Sequence, residues 1–553
     1  MCSWQHLPWE LRLRVLDYVE RAPERHNLAA CAAVAAEWQA PVERRTFSYL
    51  DVHSKEIDVF AAAVEGPQKS VRLNYIRHLH LHVRLGMYNC PNCLVPESPD
   101  TVHRNNVEFT RALWALLAVL ATHNSRIGDD RLGQQHGLTL ELSAASFSDA
   151  HHTFTDFRCQ RGYPRFRVPA DLDPAYTAYT ERMERRRHAK ANQHSVIRRL
   201  TRPYAQLHLQ RDAFQSPWTL KAQRVMGGRP LALDFGNKGS DSSSNGGGGG
   251  LCRINIVRGL VIRRQFYRCI SPDVLMLLLN PGLRCIRQLR IETWRPVLPF
   301  ALRECINGYA RLLKGLPRQL DAFHLHIEHH RRVPYHDETW AHLPSALNLS
   351  KQLVFASRSL VHVSVSYTPA DASQFLSMVA GMPVCQPDGT QVDVNWPAGE
   401  PRQWPRLQTL ALNTATLAPS MPWTLGEQLL VCAADTAACM PALTVMELWN
   451  PFAGEECYVQ FEARTIPPKI TLRAVWDARR VWTDRCRKRW SRVANMHYPN
   501  HPLEVSIEPL AADAVGPEQG YTGVLQHLQL RDKIVDPVSY YQMQWEEAHN
   551  FEG

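Results

Sequence analysis

One spacing returns along most of this chain: an apolar residue, two unrelated positions, then apolar residues at every second position. It occurs in Ile76–Val83 (IRHLHLHV), Leu138–Leu142 (LTLEL), Val257–Ile262 (VRGLVI), Ile286–Ile291 (IRQLRI), Leu320–Ile327 (LDAFHLHI), Leu360–Val365 (LVHVSV), Leu407–Leu412 (LQTLAL) and Leu443–Leu448 (LTVMEL). A period of two puts the apolar side chains on one face of a strand and His, Arg, Glu or Ser on the other. Between most of these strands the period changes to 3.6. Helices are predicted over Phe109–Leu120, Pro272–Leu279, Ala301–Leu313, Ala372–Val379 and Gly426–Ala438.

Strand–helix alternation fits two architectures. A doubly wound α/β enzyme would bury its strands on both faces, as nearly continuous Val, Ile and Leu, and would carry a Gly-rich turn after a strand. Neither feature is present. The L-x-x-L-x-L core followed by a helix is instead that of a leucine-rich repeat, stacked so that one sheet face stays open. The later strands recur every 35–47 residues or so, against ~20–29 in a regular repeat, so the array is irregular, with loops inserted between strand and helix. The expected fold class is α/β: a short N-terminal helical module followed by an irregular leucine-rich-repeat-like solenoid, a curved parallel sheet with outer helices.

The N-terminal module has its own pattern. Pro8 and Glu10 suit a helix start, Leu7, Leu11, Val15 and Val19 follow at i+4, and Leu13 and Leu16 lie on a neighbouring face. A second helix is expected from an Asn27 cap, with Leu28, Cys31, Val34 and Trp38 on one stripe and Pro41 ending it. Two short helices with apolar residues on several faces must pack on the rest of the chain or await a partner. LPWELRLRVL followed by LAACAAVAAEW resembles the F-box, the module by which substrate receptors dock onto the Skp-family adaptor of cullin–RING ubiquitin ligases. With RRQFYR after a strand and an IVDPVS ending, the chain resembles filamentous-fungal F-box proteins with degenerate leucine-rich repeats. That resemblance implies a substrate-recognition subunit of an SCF-type ligase, with Leu7, Pro8, Leu11, Val15, Leu16, Val34 and Trp38 as docking or F-box-core positions. Its partners would be the Skp-family adaptor, the cullin–RING ligase and a client protein. The alternatives are a repeat-based scaffold without ubiquitin transfer or a nucleic-acid-associated protein.

On this reading the chain divides into the helical module (1–48), first repeats (49–146), an insertion (147–235), a Gly/Ser loop (236–250), the main array (251–465) and a C-terminal cap (466–553). The insertion carries a basic run from Glu181 to Arg202, and GNKGSDSSSNGGGGG has too few apolar groups to offset ordering entropy. In the cap, Thr471–Arg492 reads as a basic helix with Trp476, Trp482 and Trp490, and a strand over Leu503–Ile507 follows.

Composition narrows the classes. With 45% hydrophobic and 21% charged residues, wholesale disorder is excluded. The longest apolar run, Ala112–Ala121, falls short of the ~18–20 residues a membrane span needs, so no membrane partner is expected. The start, MCSWQHLPWE, lacks the basic region and apolar core of a secretory signal, so an intracellular location, in cytoplasm or nucleus, is expected. There the 14 cysteines are expected to be mostly small buried hydrophobes rather than a disulfide framework. A net charge of +10 is spread over the whole chain and identifies no partner.

Candidate chemistry is sparse. The chain has no nucleophile elbow, P-loop, H-E-x-x-H or kinase signature and nothing singles out a reactive cysteine, so no enzyme and no cofactor are expected. FHLHIEHH (323–330) has the alternation of a metal site, but it is also what the open face of a repeat strand must show. Cys90-Pro-Asn-Cys93 has only His103 as a near third ligand, too few for zinc, so no metal is expected. The basic stretches 181–202 and 479–492 are assigned to solvated helix faces rather than to nucleic acid, with the tryptophans in the core. The residues expected to face a client from the sheet are His80, His82, Arg290, Glu292, His324, His326, Glu328, His362, Ser364, Asn413, Glu447 and Trp449. If these stand exposed, truncating His324 or His326 costs only about 0.5 kcal/mol.

Overall fold

A computed structural model of the protein describes residues 4, 7–21, 28–33, 35–66, 69–89, 92–93, 95–122, 137–149, 224–226, 229–234, 253–264, 268–296, 299–328, 344–367, 371–385, 391–392, 396, 401–452, 454–497, 499, 501–510 and 522–548. Most of the insertion, its basic run, the Gly/Ser loop, Val34 and Cys90 lie outside the described residues.

The chain forms a mixed α/β structure around one open, mostly parallel sheet of twelve strands. These are β1 (Tyr49–His53), β2 (His78–Arg84), β3 (Leu138–Ala145), β4 (Val257–Ile262), β5 (Gln288–Trp294), β6 (Ala322–Glu328), β7 (His362–Ser366), β8 (Thr409–Asn413), β9 (Val445–Asn450), β10 (Cys457–Glu462), β11 (Lys469–Ala474) and β12 (Glu504–Pro509). Each pairs with its neighbour in sequence, so spatial order equals chain order. All pairs are parallel except β9–β10 and β10–β11, where Gly454 (φ +79°) supplies the left-handed residue in the turn between β9 and β10.

The repeated spacing explains this order. In each of the units Leu320/Phe323/Leu325, Leu360/Val363/Val365, Leu407/Leu410/Leu412 and Leu443/Met446/Leu448, all three side chains are buried on the same side. The residue after the first Leu of each unit also bonds to its counterpart in the unit before. Asp321 N–H donates to the Arg287 carbonyl (2.8 Å), Val361 to Asp321 (2.7 Å), Gln408 to Val361 (2.8 Å) and Thr444 to Gln408 (2.7 Å). Backbone groups that a loop would leave unpaired are thereby satisfied by the same loop of the next unit.

The crossover helices cover this apolar face. They are α4 (Ile57–Val64), α5 (Pro99–Ala121), α6 (Pro272–Leu277), α7 (Pro299–Lys314), α8 (Pro344–Ser357), α9 (Ala372–Ala380), α10 (Trp423–Ala438) and α11 (Asp484–His497), and from α6 to α11 each packs on the next. Their starts carry the expected signals: Ser98, Ser271 and Asp371 accept backbone N–H bonds at the heads of α5, α6 and α9, and Pro99 and Pro272 occupy first positions. At the end of α9, Gly381 takes the left-handed conformation (φ +75°) that ends a helix.

Three elements precede the sheet: α1 (Trp9–Arg21), α2 (Leu28–Ala32) and α3 (Ala36–Thr46). The single second helix expected from Asn27 to Pro41 is two helices, and Pro41 lies inside α3 rather than at its end. The bond lost at its ring nitrogen is tolerated because the next residue, Val42, is buried, as is Leu16 on α1, where α1 packs on α3. The sequence also leaves β1, α4, α8 and β10 without a strong signal. It misassigns the start of the 471–492 stretch, where Ile470, Leu472 and Ala474 face the core from β11 and the helix begins only at Asp484.

After β12 come α12 (Thr522–Leu525), α13 (Arg531–Ile534) and α14 (Pro537–Ala548). They do not join the helical layer. Leu525, Leu528, Leu530, Ile534, Val535, Tyr540 and Met543 instead form a second core with Tyr367, Ala411, Val445, Trp449 and Tyr458 on the opposite face of the sheet. The C-terminal segment is a strap across that face.

Candidate functional site

The residues expected to face a client do occupy this second face, opposite the helices, but the expectation that they stand open is corrected. His82, Arg290, Glu292, His324, His326, Glu328, Ser364, Glu447 and Trp449 are buried, and His80, His362 and Asn413 are half-buried. Alternation along a strand fixes which face a side chain takes, not whether another segment covers it.

The strap follows the face from β10 back to β4. Gln460 Nε2 donates to Gln529 Oε1 (3.2 Å), and Glu447 accepts the backbone N–H of Gln529 (2.8 Å) and of Leu530 (3.1 Å). Arg290 donates to the carbonyl of Asp532 (2.7 Å). Glu292 accepts the N–H of Asp536 (2.5 Å) and the hydroxyl of Ser539. Arg263, just past β4, pairs with the Asp536 carboxylate (3.3 Å). Burial under the strap pushes Glu447 up to about 7, against the bonds from Gln529, Leu530 and Gln460, and burial likewise raises Glu292 against the charge of Arg290. Burial, with Arg290 and Lys533 nearby, holds His324 well below the ordinary value, so it is neutral.

Beside the strap the face closes on its own polar groups. His326 Nδ1 lies 2.8 Å from Ser366 Oγ, with its ring edge-on to Tyr367 (5.2 Å). Glu328 takes a two-pronged bond from the buried Arg264 (Nη2–Oε1 2.6 Å), His362 meets Thr409 (2.9 Å), and Asn413 accepts the Tyr367 N–H (2.7 Å). Where the strap does not reach, β11 and β12 carry exposed pairs instead, Lys469–Glu504 (3.3 Å) and Arg473–Glu508.

At the β1–β3 end, a connected cluster joins Asp51, His80, Ser143 and His82, with His80 Nδ1 3.0 Å from Asp51, His80 Nε2 2.6 Å from Ser143 Oγ and His82 Nδ1 2.9 Å from the same oxygen. Burial opposes a charge on His80, but Glu141 and the bond to Asp51 outweigh it and raise its pKa. Burial and the neighbouring His80, His53 and Arg84 keep His82 neutral. Ser143 Oγ thus sits between the two rings, within hydrogen-bond distance of both. The connectivity is that of a proton relay, yet Ser143 is only 3% exposed, so the hydroxyl presents no surface to a substrate. Burial pushes Glu141 up, but Arg263, His80 and the bond from His78 (2.7 Å) bring it below the ordinary carboxylate range. Sequence reasoning missed Asp51, Glu141, Ser143 and Arg263, because nothing in a single strand says which polar groups its neighbours will present. It also missed the strap, whose Asp-Pro-x-Ser helix start was the available signal.

A second candidate surface lies on the N-terminal helices. Trp9, Leu11 (44% exposed), Leu13, Val15 and Tyr18 (81%) all stand in solvent on α1, and Pro8 is exposed before it. Leu7 and Trp38 are half-buried, with Trp38 against Trp4 (4.9 Å), and Leu16 is buried. The pair Arg12–Glu37 (3.0 Å) ties α1 to α3.

Among the described residues no three His, Cys, Asp or Glu come together to hold a metal. His103 is exposed and pairs with Asp234 (2.6 Å), whereas Cys93 is buried. Trp482 and Trp490 are buried in the core, where they cannot stack on a base, although Arg485, Arg487, Lys488, Arg489 and Arg492 are exposed on α11. No described helix is long and apolar enough to cross a membrane.

Residues 315–536 match a family of unknown function, DUF6546. The matched span takes in β6 to β12 and closes at Asp536, so it holds the β6–β9 part of the polar face and the strap up to α14, while Arg263, Arg290, Glu292 and Ser539 lie outside it. No curated protein matches the chain.

Proposed function

We propose that the protein is the substrate-recognition subunit of an SCF-type ubiquitin ligase: α1–α3 act as an F-box that docks on a Skp-family adaptor, and a leucine-rich-repeat-like solenoid receives a client protein on its polar face. The observation that carries this reading is the group of large apolar side chains left in solvent on α1. Leu11, Val15 and Tyr18 share one face of α1 in solvent, with Trp9 and Leu13 exposed on the other side, and an amphipathic helix face of this kind is a surface in want of a partner that an apolar groove can supply. The sequential strand order and the ladder between equivalent loops support the repeat reading. The chain would then contribute positioning alone, holding the client near a ubiquitin-charged enzyme elsewhere on the ligase.

Leu11→Asp tests the docking. A carboxylate placed in an apolar contact costs several kcal/mol of binding, roughly, while an exposed position leaves stability within about 0.5 kcal/mol. The expected outcome is loss of co-purifying Skp-family adaptor with an unchanged melting curve. Full adaptor recovery with the variant would overturn the assignment.

A further inference from the structure

Above its apolar core, the strap meets the polar groups of the sheet largely through main-chain atoms. Glu447 takes two main-chain N–H groups, Glu292 takes a third, and Arg290 gives to a carbonyl, while the Asp536 carboxylate on Arg263, the Ser539 hydroxyl on Glu292 and the Gln529 amide on Gln460 add strap side chains. Buried carboxylates are a poor way to fix a permanent chain segment, since apolar residues of similar size would pack there without a desolvation penalty. They are well suited to receiving the unpaired N–H groups at a helix start. The strap presents one: Asp536 caps α14 through the Val538 N–H (3.0 Å), Pro537 takes the first position, and Ser539 turns its hydroxyl to Glu292. Just before it, the apolar pair Ile534–Val535 fills the floor beneath.

We propose that the polar face from β4 to β9 is a peptide-recognition surface whose resident occupant is the strap, and that its external partner is a protein segment of the same chemistry, an apolar pair followed by an Asp-Pro-x-Ser helix start. The inference rests on the reading of this face as the client surface. The strap competes from within the same chain at an effective concentration on the order of millimolar, so an external segment binds only as the strap loosens.

The test uses the full chain and a fluorescently labelled peptide of residues 522–548, followed by anisotropy. The double variant Asp536→Ala/Ser539→Ala loosens the strap and leaves the face intact. It is expected to bind the peptide at least tenfold more tightly than the parent chain, and adding Glu447→Ala is expected to abolish that gain. Equal binding by the parent and the double variant would overturn the proposal. Should the double variant fail to fold, hydrogen exchange on the parent chain decides. The amides of Gln529, Leu530 and Asp536 are expected to exchange well before those of Leu325 and Leu412 beneath them; exchange together with those strands would make the strap a fixed part of the fold and sink the idea. The receptor reading fails separately: client capture that survives Glu447→Ala removes the client from this face whether or not the peptide exchanges.

Discussion

The two faces of the sheet solve burial in different ways. On the helical face, Phe323, Leu325 and Ile327 of β6 meet the crossover helices through dispersion and loss of apolar surface, and almost any side chain of the right size would serve. On the strap face, His324, His326 and Glu328 of the same strand are just as deeply buried but polar, and His326 and Glu328 depend on particular partners, Ser366 and Arg264. The contrast shows how much of a buried surface can be polar when its groups answer one another across strands. It also separates two kinds of fragility: the first face loses packing when altered, the second leaves a donor or acceptor stranded.

Substitutions on one strand sharpen this comparison. Leu325→Ala removes buried methyl groups from the helical face and is expected to cost about 2–5 kcal/mol in denaturant unfolding. His326→Ala, one residue away, is expected to cost about 1–3 kcal/mol because Ser366 loses a buried hydrogen-bond partner. A change within about 0.5 kcal/mol would mean the face is open after all.

The smallest effect is a pH dependence. Glu447 is raised to about 7 where the strap covers it, faced by the N–H groups of Gln529 and Leu530, by Gln460 and by the nearby charge of Glu462. A group whose pKa is higher in the closed protein binds its proton there more tightly. Its contribution is fully present below the ordinary carboxylate value of about 4.5 and is lost as pH rises towards 7. Melting curves of the parent chain and of Glu447→Gln are therefore expected to converge or cross between pH 5 and 7, with the parent losing ground as pH rises. A constant offset across that range would show that Glu447 does not titrate with strap closure.

The helical face was legible because its signal is local. L-x-x-L-x-L places Leu360, Val363 and Val365 in the core from six consecutive residues, and the 3.6 period of α7 and α10 follows from a dozen more. The sequence also told correctly which side chains of β5, β6, β7 and β9 turn away from the helices. It could not tell that they would be covered, because Glu292 meets Asp536 and Ser539 more than 240 positions away, partly through a main-chain N–H that every residue but proline carries. The 471–492 stretch failed for another reason. Its arginines and tryptophans keep a helical spacing in the second half, while the three apolar residues of β11 are too few to outweigh it. On α1 the pattern of several apolar faces was read, and the side chains of Leu11, Val15 and Tyr18 do lie in solvent.

Because every strand lies beside its sequence neighbour, the sheet can be laid down in the order in which the ribosome delivers it. The strap is made after β12, so the surface it covers is assembled, strand by strand, before its cover exists. A sheet completed before the strap would leave Glu292 and Glu447 facing water, with no desolvation to offset, on a histidine-rich, charged surface that the finished protein conceals. Whatever meets the protein at that stage meets a different surface from the one displayed after release.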